Sequence, residues 1–242
     1  MKHRRWFLEL LHHVSKVYKA EFHAYCLMSN HYHLLVCTLE ANLPDVMQYL
    51  DSVFTKRINK DMSRDGPVLR GRYKAILVDK DVYLLPLSRD IHLNPFEAGL
   101  AEYMNNHLWT SLPYYIGEKP KLRWIHTDFI EGYFENDNFT DAYKDYVAIG
   151  NDSSITDFYK SKKLKPILGS KIFIKSLKIK KWPSKEISTL KYCFSRLTLA
   201  EILNIVCKIS GQSPNLVMRS YNGRTNVFRK IFISGVIIMD YA

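Results

Sequence analysis

The chain has 242 residues, 47% of them apolar and 24% charged, and its 35 lysines and arginines outnumber its 24 aspartates and glutamates to give a formal net charge of +11. This composition excludes an intrinsically disordered chain, and the length suggests one large domain or two small ones. The positive charge favours a polyanionic partner, although a solvated basic surface would give the same balance.

Neither end of the chain has the pattern of a membrane or export segment. The longest apolar stretch, residues 231–239, is too short to span a bilayer, and Glu9 interrupts the apolar segment that follows the basic N-terminus. Four scattered cysteines without a CxxC motif are typical of reduced thiols. We therefore expect a cytoplasmic protein that has no membrane contact.

The first hundred residues alternate between helical and strand periodicity in the order helix, strand, strand, helix, strand, helix. The predicted ranges, in that order, are 4–18, 21–28, 32–38, 43–62, 68–78 and 82–95. This order is one strand short of the βαββαβ ferredoxin-like unit, and the missing strand is the first. The sequence therefore predicts an α+β, ferredoxin-like domain that lacks its first strand.

The remainder of the chain has a different composition. After an aromatic-rich stretch comes a polar, lysine-rich segment that contains KSKKLKP and KIKKWP, and the pattern is helical again from Glu186. We predict a first domain over residues 1–134, a connector over 135–185 and an α-helical C-terminal region over 186–242.

Two histidines stand in the predicted hairpin, in the stretch CLMSNHYHLLVC. Successive side chains of a strand alternate between faces, so His31 and His33 are expected on the same side, as in a two-imidazole metal site. Taken alone, however, an HxH triplet in a chain with nine histidines is more often a surface pair than a ligand pair.

The last predicted helix offers a third ligand for such a site. Asp90 and Asn94 are four residues apart and share a helix face. If that helix packs beside the histidines, two imidazoles and an amide oxygen can surround one divalent cation, with Mg²⁺ or Mn²⁺ suited to mixed nitrogen and oxygen ligands and zinc also compatible with the histidines. The alternative is that Asn94-Pro95 simply ends the helix.

Two long strings, HAYCLMSNHYHLLV and GRYKAILVDKDVYLLPLSRDIHLNPFEAGL, resemble the REP-associated tyrosine transposases, which are relatives of the insertion-sequence single-strand transposases of the HUH endonuclease class. The resemblance extends from residue 4 to about residue 134. It implies that His31 and His33 hold a divalent metal, Mg²⁺ or Mn²⁺, with help from Asn94. It also implies single-stranded or hairpin DNA as the partner, and a helix-borne tyrosine that attacks a phosphodiester.

The basic residues in the first half of the third predicted strand suit such a partner. Arg70, Arg72 and Lys74 are expected along the DNA backbone, and Tyr73 is able to stack on a base. A charged strand edge that blocks aggregation is the alternative explanation for each of them.

The chain departs from the family at the position of the nucleophile. The family has a tyrosine four residues before Asn94, and this chain has Asp90 there. A carboxylate (pKa ~3.9, against ~10 for a phenol) is a far better leaving group, so an aspartyl ester of DNA would be prone to hydrolysis. Asp90 could instead act as an extra metal ligand. Tyr83, two turns upstream, is a possible substitute nucleophile that we expect to serve in packing.

Both ends of the chain also depart from the family. The absence of the central first strand leaves two unpaired edges and an open core, so either the true start lies upstream of Met1 or the chain is a remnant. The segment that begins LTLAEILNIVCKISG resembles the helical DNA-binding region of the replication initiator DnaA, and an ordinary helical tail is the alternative. If the resemblance holds, Arg219, Arg224 and Arg229 are the candidate DNA contacts of this region.

These observations favour a transposase-family protein that acts on single-stranded or hairpin DNA in DNA transposition and is degenerate because Asp90 replaces the nucleophile. A non-catalytic binder of hairpin or repeat DNA is the first alternative. A metal-dependent phosphodiesterase that uses water, with Asp90 as base or ligand, is the second. No segment of the sequence identifies a protein partner.

Overall fold

The computed structural model describes residues 1–40, 42–69, 71–104, 106–134, 138–161, 165–177 and 235–241. The helices and strands, in chain order, are α1 (Lys2–Val17), β1 (Ala20–Leu27), β2 (Tyr32–Thr38), α2 (Leu43–Asp61), β3 (Lys74–Val78), α3 (Lys80–Glu97), α4 (Leu112–Tyr115), α5 (Asp128–Glu131), α6 (Phe139–Ala148), α7 (Ser153–Lys160), β4 (Ile167–Leu168), α8 (Lys171–Ser176) and β5 (Gly235–Tyr241). The first six elements have the predicted types in the predicted order. The third strand is shorter than predicted, because Gly71, within the predicted range, has a φ of 83°, which an extended strand excludes.

The strands form one sheet in the order β1-β2-β5-β3-β4, in which every pair is antiparallel except β3 with β4. The strand nearest the C-terminus, β5, lies in the middle and pairs along its length with both β2 and β3. The expectation of an open gap at the centre of the sheet is therefore wrong. Residues 235–241, within the region predicted as α-helical, form a strand instead, because the β-branched run of residues 236–238 favours a strand that pairs its backbone groups with both neighbours.

Helix α1 packs against α2 and β1, and this packing defines one face of the sheet. The ring of Phe7 on α1 lies 4.7 Å from the ring of Tyr32 and 5.0 Å from the ring of Phe54 on α2. Because side chains alternate along a strand, the neighbouring His33 is on the opposite face from Tyr32. Helix α3 contacts β1, β2 and β5.

The segment predicted as a polar connector contributes to the core where the structure describes it. Helices α6 and α7 contact α3, and they bury Tyr143, Val147 and Ile155. Tyr143 and Val147 are an i, i+4 apolar pair on α6, which the polar composition of the segment as a whole did not indicate. Residues 178–234, which hold most of the predicted DNA-binding region, lie outside the described residues.

The structure is thus a mixed α/β arrangement of a small, mainly antiparallel sheet with several helices. None of the helices in the described part of the chain is both long and apolar enough to cross a membrane.

Candidate functional site

The hairpin between β1 and β2 brings the two histidines together. The turn closes with a 2.9 Å hydrogen bond from the Met28 amide to the His31 carbonyl. The Nε2 atoms of His31 and His33 lie 3.1 Å apart, and their rings stand nearly perpendicular, at 88°. Both side chains are half-buried.

Asn30 fixes the protonation of the first histidine. Its Oδ1 atom lies 2.8 Å from His31 Nδ1, and an amide oxygen only accepts, so Nδ1–H donates. In a neutral imidazole this leaves a lone pair on His31 Nε2. A hydrogen bond across the 3.1 Å gap then has His33 Nε2–H as donor and His31 Nε2 as acceptor. The arrangement matches the outer-shell partner that metal-binding histidines commonly have.

The separation of the two nitrogens fits one metal ion. Two nitrogens bound at about 2.1 Å, with an angle of roughly 90–110° at the ion, lie roughly 3.0–3.4 Å apart. The observed 3.1 Å falls in this range. Within the described residues no cluster of three or more His, Cys, Asp or Glu side chains could hold a metal. The histidines can thus supply two ligands, and others must come from another chemical class or from outside the described side chains.

A side chain that sequence reasoning missed holds the hairpin turn. The guanidinium of Arg4, near the start of α1, donates a 3.0 Å hydrogen bond to the Met28 carbonyl and lies 5.8 Å from the centre of the Trp109 ring. It therefore braces the turn immediately before the histidine pair. In the sequence it is one residue of a basic cluster, KHRR, which gives no indication of this role.

The other predicted ligand, Asn94, is engaged on its own helix. Its Nδ2 atom donates to the Asp90 carbonyl at 2.8 Å. Among the described residues, its hydrogen bonds do not reach His31 or His33. The structure therefore brings together two of the three predicted ligands and pairs the third with Asp90.

Asp90, at the predicted nucleophile position, is in a low-dielectric environment. Burial raises the pKa of its carboxyl to about 7, and the nearby Glu97 carboxylate raises it further, while a hydrogen bond from Asn94 and the charge of Arg89 act in the opposite direction. The group is therefore poised to gain or lose a proton near neutral pH. Tyr83, two turns away on α3, is half-buried and packs against the core.

The basic segment predicted to contact DNA is partly described. Arg72 and Lys74 are exposed, whereas Arg70 lies outside the described residues, as do Arg219, Arg224 and Arg229. Tyr73 is half-buried against the core, and burial, followed by the charges of Asp51 and Asp45, raises the pKa of its hydroxyl. Of this set, Arg72 and Lys74 are the described side chains open to a polyanion.

A second basic surface was not predicted. An open cavity of about 430 Å³ at the C-terminal end of α2 is lined by Lys56, Asn59, Lys60, Ser63, Arg64 and Asp65. Lys56 and Lys60 are four residues apart and share one face of α2, a spacing that the sequence does display, and Arg64 follows in the loop after the helix. Asn59 ties the following loop back to the helix through a 2.7 Å hydrogen bond to the Gly66 carbonyl.

A different histidine, His92 on α3, is completely buried in a polar network. Its Nε2 atom lies 2.7 Å from Ser111 Oγ, and its Nδ1 atom lies 2.9 Å from the hydroxyl of Tyr143, which donates to Ser88 Oγ. Ser111 in turn accepts from the Tyr25 amide of β1. Burial lowers the pKa of His92 to about 3, so the ring is neutral. The network joins α3, α6 and the edge of the sheet.

Residues 2–81, about a third of the chain, match the family model described as transposase IS200 like. No curated protein and no solved structure matches the chain. The matched residues include the histidine pair, Arg72 and Lys74, and they end before Asp90 and Asn94. The match supports the transposase family, and it carries no information about the nucleophile position.

Proposed function

We propose that this chain is a transposase-family protein that binds single-stranded or hairpin DNA and holds a divalent ion, Mg²⁺ or Mn²⁺, with His31 and His33. The observation that carries the proposal is the 3.1 Å approach of two Nε2 atoms within the segment that matches the family. Arg72 and Lys74, exposed on the same segment, supply positive charge for a phosphate backbone.

We assign the fold to the ferredoxin-like class of the HUH transposases, with the REP-associated group as the nearest type. In a βαββαβ sheet the first strand lies between the third and the fourth, antiparallel to both. Strand β5 has this place and direction between β2 and β3, which supports the assignment. A chain assembled in this way draws its central strand from residues 235–241 instead of from a segment before α1.

The chemistry available to such a site stops short of stable strand transfer. A bound divalent ion would polarise a phosphodiester and stabilise the departing oxygen. The imidazoles of His31 and His33 would hold it, with Asn30 keeping the His31 lone pair available. Asp90 has no phenol with which to form a phosphotyrosine, and an acyl phosphate on its carboxylate would hydrolyse. We infer a protein that binds its DNA and forms no lasting covalent adduct.

The pKa of Asp90 favours one second candidate. A carboxyl group whose pKa burial raises to about 7 is matched to general acid or base work at neutral pH. In this candidate Asp90 activates water, and the protein is a metal-dependent phosphodiesterase.

A labelled hairpin oligonucleotide separates these functions. The full chain is titrated into the DNA at several salt concentrations, and denaturing gels are run with Mn²⁺ present. Binding that weakens linearly on a log–log salt plot, with no adduct and no cleavage, supports the proposal. Cleavage without adduct supports the phosphodiesterase, provided that Asp90→Asn abolishes it. Absence of binding at low salt overturns both.

The Asp90→Tyr variant tests the inferred loss of the nucleophile. Because β5 already occupies the centre of the sheet, the variant needs no added N-terminal strand. A covalent adduct in Asp90→Tyr, and none in the parent, is the expected result. An adduct in the parent would show that another residue attacks, and Tyr83→Phe is then the variant to examine.

A further inference from the structure

The open cavity at the C-terminal end of α2, called the α2 cavity, has an excess of positive charge. Its lining contains three cationic side chains, Lys56, Lys60 and Arg64, and a single carboxylate, that of Asp65. The three cations are exposed, and none of the ion pairs between described residues includes them. Their charge is therefore not neutralised by the part of the fold that the structure describes.

The turn that ends α2 holds Arg64 in place. Its backbone N–H donates to the Asn59 carbonyl at 3.0 Å, and its Nε–H donates to Asn59 Oδ1 at 3.2 Å. Ser63 has a φ of 47°, the left-handed conformation that closes such a turn and that glycine usually supplies. The guanidinium is thus positioned before any ligand arrives, which reduces the entropy that binding would cost.

Two features near the cavity would oppose an anion, and the structure offsets both. The C-terminus of a helix carries partial negative charge, but the turn pairs two of the last carbonyls of α2 with backbone N–H groups. The carboxylate of Asp61, in the last turn of α2, is paired with Lys2 and His3 of α1. The positive charge of the α2 cavity is therefore available to an anionic ligand.

The α2 cavity is at the same end of the fold as the histidine pair. The start of α1 connects the two, because Lys2 and His3 contact Asp61 at the end of α2, while Arg4 donates to the Met28 carbonyl immediately before the hairpin turn. Helices α1 and α2 cover the face of the sheet opposite to His33. The cavity and the histidines therefore lie on the two sides of one end of the sheet.

The loop between α2 and β3 joins these two sides with further positive charge. Residues 62–73 lead from the cavity to the start of β3, and Arg72 and Lys74 are exposed there. In the register of the sheet, Lys74 and His33 are opposite the same residue of β5, so their side chains share one face. Cations thus follow a path from the histidine face to the α2 cavity.

We propose that the α2 cavity binds backbone phosphates of the DNA that flanks the segment held at the histidine pair, an inference that rests on the DNA binding proposed above. Lys56 and Lys60 are one helical turn apart, about 6 Å, and present repeated point charges to a backbone of repeated phosphates. Contacts of this kind fix the position of DNA and add affinity without reading its sequence. The flanking strand would pass Lys74 and Arg72 on its way round the end of the sheet.

Salt titrations of the full chain with labelled hairpin oligonucleotides test the proposal. One hairpin has single-stranded flanks on both sides, and the other has none. With the flanked hairpin, we expect Lys56→Ala/Lys60→Ala/Arg64→Ala to reduce the slope of log affinity against log salt by about 2, since each phosphate of a single strand contributes roughly 0.7.

A matched control removes the same charge from exposed positions of α1, α6 and α7, namely Lys16→Ala/Lys144→Ala/Lys160→Ala. This control should keep the slope of the parent. A loss of slope as large as that of the cavity variant would show that net charge alone is responsible, and it would overturn the assignment of the α2 cavity.

Removing the flanks gives the second comparison. It should lower the slope of the parent by a similar amount and leave the cavity variant unchanged, because the cavity and the flank form one contact. A cavity variant that keeps the slope of the parent on the flanked hairpin, or that still responds to the flanks as the parent does, overturns the role of the cavity and leaves the proposed DNA binding intact. A parent that binds neither hairpin at low salt overturns both proposals.

Discussion

The chain contains two histidine centres that use the same side chain in opposite ways. At His92, burial is complete and both ring nitrogens have hydrogen-bond partners, Ser111 Oγ and the Tyr143 hydroxyl. At the pair of His31 and His33, the rings are half-buried and two Nε2 atoms converge on each other at 3.1 Å. At the first centre both nitrogens are paired with hydroxyl groups of the core, whereas at the second the Nε2 atom of His31 faces the Nε2 atom of the other histidine.

The difference shows which observation separates a structural histidine from a ligand. Polar surroundings do not, because both centres have them. What matters is whether each nitrogen is committed to a partner inside the fold. His92 is committed at both atoms and joins α3 to α6 and the sheet edge. His31 is paired at Nδ1 with Asn30, and its Nε2 atom meets the other histidine of the pair, a contact that the metal ion we propose could replace.

Replacing the buried histidine should give the largest change in stability. His92→Ala removes a fully buried ring and leaves the Ser111 and Tyr143 hydroxyls without that partner, so we expect a loss of about 3 kcal/mol in the free energy of unfolding. Urea denaturation of the full chain measures it. His13→Ala, an exposed position on α1, is the control and should change stability by less than about 1 kcal/mol. A similar loss in both variants would refute the structural role assigned to the His92 network.

Replacing the histidine pair should change the metal-free stability little and should remove the stabilisation by metal. His31→Ala/His33→Ala should change the metal-free stability by no more than about 0.5 kcal/mol, because both rings are partly exposed. In the parent, Mn²⁺ at about 100 times its dissociation constant should add about 2.7 kcal/mol, and the double variant should lose this gain. Thermal melts with and without MnCl₂ measure both effects. An equal metal-induced shift in parent and variant would place the ion elsewhere.

The sequence predicted the elements around the histidine pair because their signals are local. Alternation on β2 and the Ser29-Asn30 turn lie within a few residues of the pair, so periodicity was enough to place both imidazoles on one side. The His92 network was not predicted, since Ser111 and Tyr143 lie 19 and 51 residues away and no local pattern joins them.

The central strand was missed for a related reason. Its Val236-Ile237-Ile238 run favours a strand, but the ferredoxin-like order predicts the central strand before α1, and the pattern from Glu186 onward predicts helices. Sequence patterns identify an element more readily than its neighbour in a sheet, because pairing depends on contacts between distant segments. For the same reason the register of β5 against β2 and β3 was not available from the sequence.

The dependence of the free energy of unfolding on pH, below neutral pH, should distinguish the contribution of the buried histidines from that of Asp90. Burial lowers the pKa of His92 to about 3 and also lowers that of His23, so their contribution is present above about pH 6.5 and is lost as the pH falls. Burial raises the pKa of Asp90 to about 7, so its contribution is present below about pH 4 and is lost as the pH rises through 7. Between these limits the two effects oppose each other.

Asp90→Asn removes the pH-dependent contribution of Asp90 to stability and leaves that of the buried histidines. The variant should gain stability relative to the parent as the pH rises from about 4 to 7, with a slope of up to about 1.4 kcal/mol per pH unit for one proton. It should therefore also lose stability more steeply than the parent on acidification. Urea unfolding at half-unit steps between pH 4.5 and 7.5 measures the difference. A difference between the two proteins that is constant over this range would mean that Asp90 titrates at its ordinary pKa.

Removing the Asn30 side chain should weaken metal binding by the histidine pair without displacing either imidazole. Asn30→Ala leaves both imidazoles in place and removes only the Oδ1 acceptor of His31 Nδ1–H, so His31 becomes free to carry its proton on Nε2, where it blocks a metal. The turn itself should persist, because the bond from the Met28 amide to the His31 carbonyl and the brace from Arg4 do not involve the Asn30 side chain. We expect Mn²⁺ affinity to fall by about tenfold, equivalent to ~1.4 kcal/mol, with the metal-free melting temperature unchanged. Asn30→Asp restores an acceptor at the same position and should recover the lost affinity. If Asn30→Ala binds Mn²⁺ as tightly as the parent, then the tautomer of His31 is set by the second histidine alone, and the distinction drawn between the two centres would rest only on burial.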